Sequence, residues 1–224
     1  LLRGFASYLP IESRLLFAKD LVQMFGEDRR IDVRKPMDYY YYKSDDSIRP
    51  YQYSAAPIAF EALAKNNAIV KTVDVQKVID TIMPWIENME PFIVVGPEGA
   101  GKSMILQSCF ATVSNTQVAV LHCNSQTQAV HVIQKLNQVC ATFTSNTGKV
   151  LRPREGERLI LYLKDINLPK PDKYGTTQLI SFLQQLVSYK GYYDKDLEWI
   201  ALEKVQIVAS MNPATTVGRY PLSS

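Results

Sequence analysis

Eight consecutive residues, Gly96-Pro97-Glu98-Gly99-Ala100-Gly101-Lys102-Ser103, follow the spacing G-x-x-x-x-G-K-S, which suits them to hold phosphate. The glycines let the backbone curl until successive N–H groups point at phosphate oxygens. Lys102 then reaches the β- and γ-phosphates, and Ser103 offers a hydroxyl to Mg²⁺. An apolar run, Phe92 to Val95, precedes the loop, and a helix-like stretch, Met104 to Ala111, follows it. That order puts the loop at a helix N-terminus, whose partial positive charge favours the same anion. A Gly-rich surface turn is the alternative, and the strand and helix on either side argue for a nucleotide site instead.

Chemistry at such a site is mostly positioning and charge stabilisation, so it calls for an acid at a strand end and a polar residue on a neighbouring strand. Leu159 to Leu163 is an apolar run that continues into Lys164-Asp165, and Asn212 follows another run, Val205 to Ala209. Asp165 is therefore a candidate acid, and Asn212 a candidate for orienting a water near the γ-phosphate. Asn212-Pro213 also suits a plain turn, but its order after the acidic strand favours the catalytic role.

The elements that must position these residues follow from periodicity. Leu15, Leu16, Ala18, Leu21, Val22 and Phe25 share one face of a helix from Leu9 to Phe25, opening near Pro10 and Ser13 and closing near Gly26. Arg29 to Pro57, with the run Tyr39 to Tyr42, has no sustained period and reads as a connector. A tyrosine run suits base stacking, but basic residues are sparse around it, so half-buried rings with their hydroxyls in water are expected. Thr72 and Asp74 introduce a helix over Val75 to Ile86 that Pro84 kinks or ends. After the phosphate loop come a strand at Gln117 to His122 and a helix from Gln126 to Cys140. A hairpin through Ser145-Asn146-Thr147-Gly148, a strand at Leu159 to Leu163, a helix at Thr176 to Tyr189 and the strand Val205 to Ala209 complete the order. Apolar strands alternating with helices predict an α/β fold, a parallel sheet between helices.

With 46% apolar and 21% charged residues, the 224-residue chain can bury a core of its own. A net charge of +3, with bases and acids interspersed, argues against nucleic acid as partner. No apolar run is long enough to span a membrane and no signal peptide is visible, so the chain reads as cytosolic or nuclear. Cys109, Cys123 and Cys140 lack metal or disulfide spacing and are expected as buried, reduced thiols. His122, Cys123 and His131 form no recurring ligand pattern. Leu1 is not a start residue, and the chain reads as an excerpt of something longer.

The phosphate loop, Lys164-Asp165-Ile166-Asn167-Leu168-Pro169, the aromatic segment Gly191-Tyr192-Tyr193 to Trp199, read as a loop, and Ser210-Met211-Asn212-Pro213 before Gly218-Arg219 resemble an AAA+ module of a dynein heavy chain, the third module most closely. Leu183-Gln184-Gln185 and Val208-Ala209-Ser210-Met211 are similar to the intraflagellar-transport class, cytoplasmic dynein 2. The resemblance covers nearly the whole chain. It implies that residues 1–30 end the helical small subdomain of the preceding module, 31–68 are a connector, and 69–224 are an AAA+ large subdomain. It also implies ATP or ADP with Mg²⁺ as cofactors. Gly96, Pro97, Glu98, Gly99, Ala100, Gly101, Lys102 and Ser103 would bind phosphate, and Ser103 and Asp165 the metal. Ile69, Val70 and Thr72 would lie in the base pocket, with Asp165 and Asn212 as the catalytic pair.

The parent protein implied is an ATP-driven, minus-end-directed microtubule motor, of which this module would be a regulatory part. Its partners would be neighbouring AAA+ modules of the same chain and, through the parent, microtubules and dynein intermediate and light chains, with no nucleic acid and no membrane span. Cytoplasm, cytoskeleton and cilium or flagellum are the implied locations. The sequence departs from the family at the acidic strand, where most modules have Asp-Glu before Ile-Asn-Leu-Pro and this chain has Lys164-Asp165. Either Asp165 is the metal-side acid and Ile166 stands at the base position, or Asp165 is the base and Lys164 replaces the metal-side acid. The matched Ile166 to Pro169 favours the second register, and both imply intact binding with slow turnover. The competing readings are a kinase or GTPase-like switch acting alone, against which no guanine motif or Arg-rich lid is found, and a nucleotide-locked structural module.

Overall fold

The computed structural model describes residues 9–24, 31–32, 35–42, 44–53, 69–145 and 148–222. The chain divides into two compact units, Leu1–Ile82 and Met83–Ser224.

In the first unit, helix α1 (Ile11–Met24) begins just after Pro10, whose carbonyl accepts the Arg14 N–H at 2.9 Å. Ala18 is its one fully buried residue, while Ile11, Leu16 and Met24 are exposed. Its expected close at Phe25 and Gly26 lies outside the described residues, as do Leu1 to Tyr8 and the 54–68 end of the expected connector. The tyrosine run, read as part of a connector without regular structure, is a strand. β1 (Tyr39–Tyr42) pairs antiparallel with β2 (Ser47–Pro50). The period was hidden because every position is aromatic, so no alternation is visible. The rings pack on their neighbours: Tyr40 lies 4.9 Å from Tyr51 between centroids, and the Arg49 guanidinium sits 4.1 Å over the Tyr42 ring.

Helix α2 (Val73–Glu87) runs across the boundary between the units. Thr72 caps it, its hydroxyl accepting the Val75 N–H at 3.3 Å. Pro84 does not end it: the helix continues to Glu87. It stops where Met89 turns into the left-handed region at φ 56°, and the N–H groups of Met89 and Glu90 return to the carbonyls of Ile86 and Trp85.

The second unit is built on a parallel sheet in the order β3-β10-β7-β4, formed by β3 (Phe92–Val95), β4 (Thr116–His122), β7 (Arg158–Lys164) and β10 (Val205–Met211). Helices α3 (Lys102–Thr112), α4 (Ala129–Val139) and α5 (Gln178–Tyr189) accompany it. Central strand β7 is buried from Leu159 to Leu163, and its period of two divides the sheet's faces. Leu159, Leu161 and Leu163 join Val132 and Leu136 of α4 and Leu179, Leu183 and Leu186 of α5 in one core. Tyr162 faces the other way, its ring 5.5 Å from Phe110 of α3.

Two expectations are corrected here. Helix α4 ends at Val139, and Cys140 opens strand β5 (Cys140–Ser145), which pairs antiparallel with β6 (Gly148–Pro153). The run Cys140-Ala-Thr-Phe-Thr is rich in β-formers, which outweighs continuation of the helix. The turn residues Asn146 and Thr147 lie outside the described residues. The aromatic segment read as a loop is a second hairpin, β8 (Gly191–Tyr193) and β9 (Trp199–Leu202). β9 joins β6 in parallel, giving a second four-stranded sheet in the order β5-β6-β9-β8. Tyr192, Ile200 and Leu202 bury their side chains in the same core as β7.

Candidate nucleotide site

The phosphate loop joins β3 to α3. Gly99 and Gly101 have φ of 75° and 77°, the left-handed region that side chains strain to adopt, so glycine is required at both. Gly101 is also the N-cap of α3, and its carbonyl accepts the Ile105 N–H. Pro97, Glu98, Gly99 and Ala100 are exposed, while Gly96, Gly101, Lys102 and Ser103 are half-buried. The loop is tied to the neighbouring strand through the Gly96 N–H, which donates to the Met211 carbonyl at 3.3 Å.

Lys102 folds back over this loop. Its ammonium donates to the carbonyls of Gly96 at 2.7 Å and Pro97 at 2.8 Å, and to Asn212 Oδ1 at 2.9 Å. All three of its protons are thus placed. Asn212 is buried just beyond β10, and its own carbonyl accepts from Asn167 Nδ2 at 2.8 Å. The fold therefore brings Asn212 to the phosphate loop, next to the lysine.

Asp165 stands just past β7 with φ 58°, and its N–H donates to the Ser210 carbonyl at 2.8 Å. Its carboxylate pairs with Arg219, NH1 to Oδ1 at 3.1 Å. No hydrogen bond joins it to the side chains of Lys102, Ser103 or Asn212 among the described residues. Ile166 is 2% exposed and belongs to the core, so this position does not face the loop. Lys164 is half-buried, and its ammonium lies 5.8 Å over the Tyr162 ring. Tyr162 in turn sets its hydroxyl 3.4 Å from Ser103 Oγ and 2.9 Å from Ser210 Oγ.

The Ser103 hydroxyl thus meets the Tyr162 hydroxyl, and the Lys164 ammonium lies over that same tyrosine's ring. Backbone amides with a placed lysine suit phosphate. Mg²⁺ usually takes one or two carboxylates beside phosphate oxygens and water, and the strand-end acid Asp165 is paired with Arg219. The donor set fits a nucleotide's phosphates and does not fit Mg²⁺.

Ile69, Val70 and Thr72 belong to the first unit. Val70 is exposed and its carbonyl accepts the Thr72 N–H at 2.8 Å. Tyr162, Ser210, Asn167 and Arg219 were not singled out from the sequence as site residues. Asn167, Ser210 and Arg219 lie inside the family-like motifs, whereas Tyr162 gave no such signal.

Burial raises the thiols of Cys109 and Cys140 to about 11 and that of Cys123, also facing the Asp165 charge, to about 12. All three are free and buried. His131 accepts the Gln128 N–H on Nδ1 at 3.0 Å and so caps α4. No cluster of three or more His, Cys, Asp or Glu side chains that could hold a metal occurs among the described residues. Among them, too, no helix is long and apolar enough to cross a membrane.

A parallel α/β sheet with a phosphate loop between its first strand and the following helix, and a polar residue from the adjacent strand on the loop lysine, defines a P-loop NTPase of the AAA+ class. Residues 60–223 match the family described as P-loop containing dynein motor region. The chain belongs to the dynein heavy-chain family. It is 47% identical over 230 residues to cytoplasmic dynein 2 heavy chain 1 of Tripneustes gratilla, 43% to that of Homo sapiens, and 44% over 225 residues to that of Chlamydomonas reinhardtii. In each case all of this chain is covered but only 5% of the relative, so the chain spans about a twentieth of those proteins. These findings support a dynein motor module, not the isolated kinase or GTPase-like switch.

Proposed function

We propose that this chain is an ATP- and ADP-binding regulatory module of a dynein heavy chain, turning over slowly. The observation that carries the reading is the Lys102 ammonium held by Gly96 O, Pro97 O and Asn212 Oδ1. It stands ready to exchange these neutral acceptors for β- and γ-phosphate oxygens, while the loop amides and the first turn of α3 supply the remaining donors. Ser103 and Asn212 flank the phosphates, and Ile69, Val70 and Thr72 form the base side by analogy with the family.

Slow turnover follows from the acid. Asp165 is the base candidate, but Arg219 holds its carboxylate, and a group misplaced by about 1 Å can cost about a hundredfold in rate. The family generally binds nucleotide together with Mg²⁺; the metal roles proposed from sequence for Ser103 and Asp165 would need Asp165 to leave Arg219. In the parent protein the module would be part of a minus-end-directed microtubule motor for ciliary transport, in the cytoplasm, cytoskeleton and cilium. Neighbouring AAA+ modules, microtubules, and intermediate and light chains are its partners on this reading. Residues 1–30, 31–68 and 69–224 would then be the end of the preceding small subdomain, the connector and the large subdomain.

The test is Lys102→Ala in the intact heavy chain, with nucleotide occupancy of this site measured while the other sites are blocked. A charge-assisted contact of about 1.5 to 3 kcal/mol is lost, so affinity should fall at least about tenfold. Unchanged occupancy would sink the assignment.

A further inference from the structure

We propose that this site holds its nucleotide without a divalent cation, the Lys164 ammonium supplying the positive charge that a metal supplies in other phosphate-loop sites. The inference rests on nucleotide binding as proposed above and names the form of the ligand: a metal-free nucleoside di- or triphosphate.

Three observations converge. The alternation of β7 puts Lys164 on the same side as Tyr162, and its ammonium lies over that ring. The Tyr162 hydroxyl reaches Ser103 Oγ, the hydroxyl that in phosphate-loop enzymes shares the metal with a strand-end aspartate. Lys164 is thus the charged side chain of β7 that shares a face with Tyr162, whose hydroxyl meets Ser103. Second, the Lys164 ammonium has no hydrogen bond or ion pair among the described residues, so its charge adds to that of Lys102 for a phosphate. A phosphate within its reach would supply the anion that this cation lacks. Third, the carboxylate that could complete a metal shell is on Arg219. A dication placed among Ser103, Tyr162 and Ser210 would meet hydroxyls and a like charge, and like charges at this range repel strongly in a half-dry site.

The consequence is a site that retains nucleotide while withholding the metal ion and the free base that hydrolysis requires. Lys164 is here a binding residue, and its work is measurable without any turnover.

The experiment uses the intact heavy chain with its other nucleotide sites blocked, ADP as ligand, and Mn²⁺ as a paramagnetic probe. In the unaltered protein, ADP affinity at this site should change less than about threefold between excess Mg²⁺ and excess EDTA, and the Mn²⁺ spectrum should show no ion bound here. Lys164→Gln should lose at least about tenfold in EDTA. Lys164→Asp should lose as much in EDTA, regain affinity with metal, and bring a bound Mn²⁺ signal. Because Gln nearly preserves size and polarity, its loss in EDTA with normal local amide exchange distinguishes a missing charge from a misfolded strand. ADP binding that needs metal in the unaltered protein, or Mn²⁺ bound beside Ser103, overturns this inference and leaves the module's nucleotide binding intact. ADP failing to bind under either condition overturns the functional reading itself, and this inference with it.

Discussion

Lys102 Nζ donates to Asn212 Oδ1 at 2.9 Å, although the two residues stand 110 positions apart in the chain. The contact makes the loop lysine and the end of β10 one unit, and Asn167 fixes that end by bonding the Asn212 carbonyl. An amide oxygen attracts the ammonium without neutralising it, so the lysine keeps its full charge for phosphate. Asn212→Asp changes that balance: the new carboxylate pairs with Lys102 and faces the incoming phosphates with like charge. ADP affinity should fall at least about tenfold. Asn212→Ala, which only frees the lysine, should change it by less than about threefold. Equilibrium titration of the site in the intact heavy chain compares the two.

Gly191 opens the β8–β9 hairpin where a Cβ would collide with the Trp199 ring and stand 2.7 Å from the Ile200 carbonyl oxygen. The backbone oxygen cannot step aside. Gly191→Ala should therefore destabilise the hairpin by about 1 to 3 kcal/mol, seen as faster amide exchange over residues 191–202 with the β7 amides unaffected. Unchanged protection would show that the hairpin yields more easily than its packing implies.

The three cysteines give a pH dependence whose sign is fixed by burial. Folding favours the neutral thiol and raises its pKa from 9.0 to about 11 for Cys109 and Cys140 and about 12 for Cys123. Their contribution to stability is present below about pH 9 and is lost as pH rises from there through the folded values. At pH 8 all three should resist alkylation by iodoacetamide under native conditions and react on denaturation, which mass spectrometry reads residue by residue. Rapid native labelling of Cys123 would contradict its place in the core.

Arg219 and Asp165 should couple. Arg219 is the more buried partner, with its side chain 14% exposed against 40% for Asp165. Losing the carboxylate therefore leaves the costlier orphan, and Asp165→Asn should destabilise more than Arg219→Gln, with non-additivity in the double variant. For hydrolysis, Lys164→Asp with Asp165→Glu should raise the single-turnover rate at this module, and neither change alone should suffice. Ile166→Glu should not raise it, because that position is in the core and the acid would be buried without a partner. A gain from Ile166→Glu would restore the other register.

What the sequence made legible is what short-range pattern controls. The phosphate loop needs only glycines, a lysine and flanking periodicity, and β7 and β10 announce themselves as unbroken apolar runs. The second sheet did not, because β8 and β9 are three and four residues long, too short for a period, and the charged turn between them resembles a loop. Pro84 left a kink or an end open because the cost of proline in a helix is local, whereas the packing that carries α2 past it is not. At the site, Asp165 and Asn212 could be placed at strand ends, but not their partners: Arg219 and Lys102 are 54 and 110 residues away. No local rule connects residues so far apart.

Among the described residues β3 pairs with β10 alone in the parallel sheet, with Phe92 opposite Val208. The strand that leads into the phosphate loop therefore waits for a partner made 116 residues later. At about 5 to 20 residues per second that interval on the ribosome is roughly 6 to 23 s. During it Ile93 and Val95 have no sheet to join, and closing so long a loop is slow compared with forming the helices and hairpins between. The nucleotide cradle is thus among the last parts of this stretch to form, and a nascent chain that stalls before β10 exposes an apolar strand to whatever else is folding nearby.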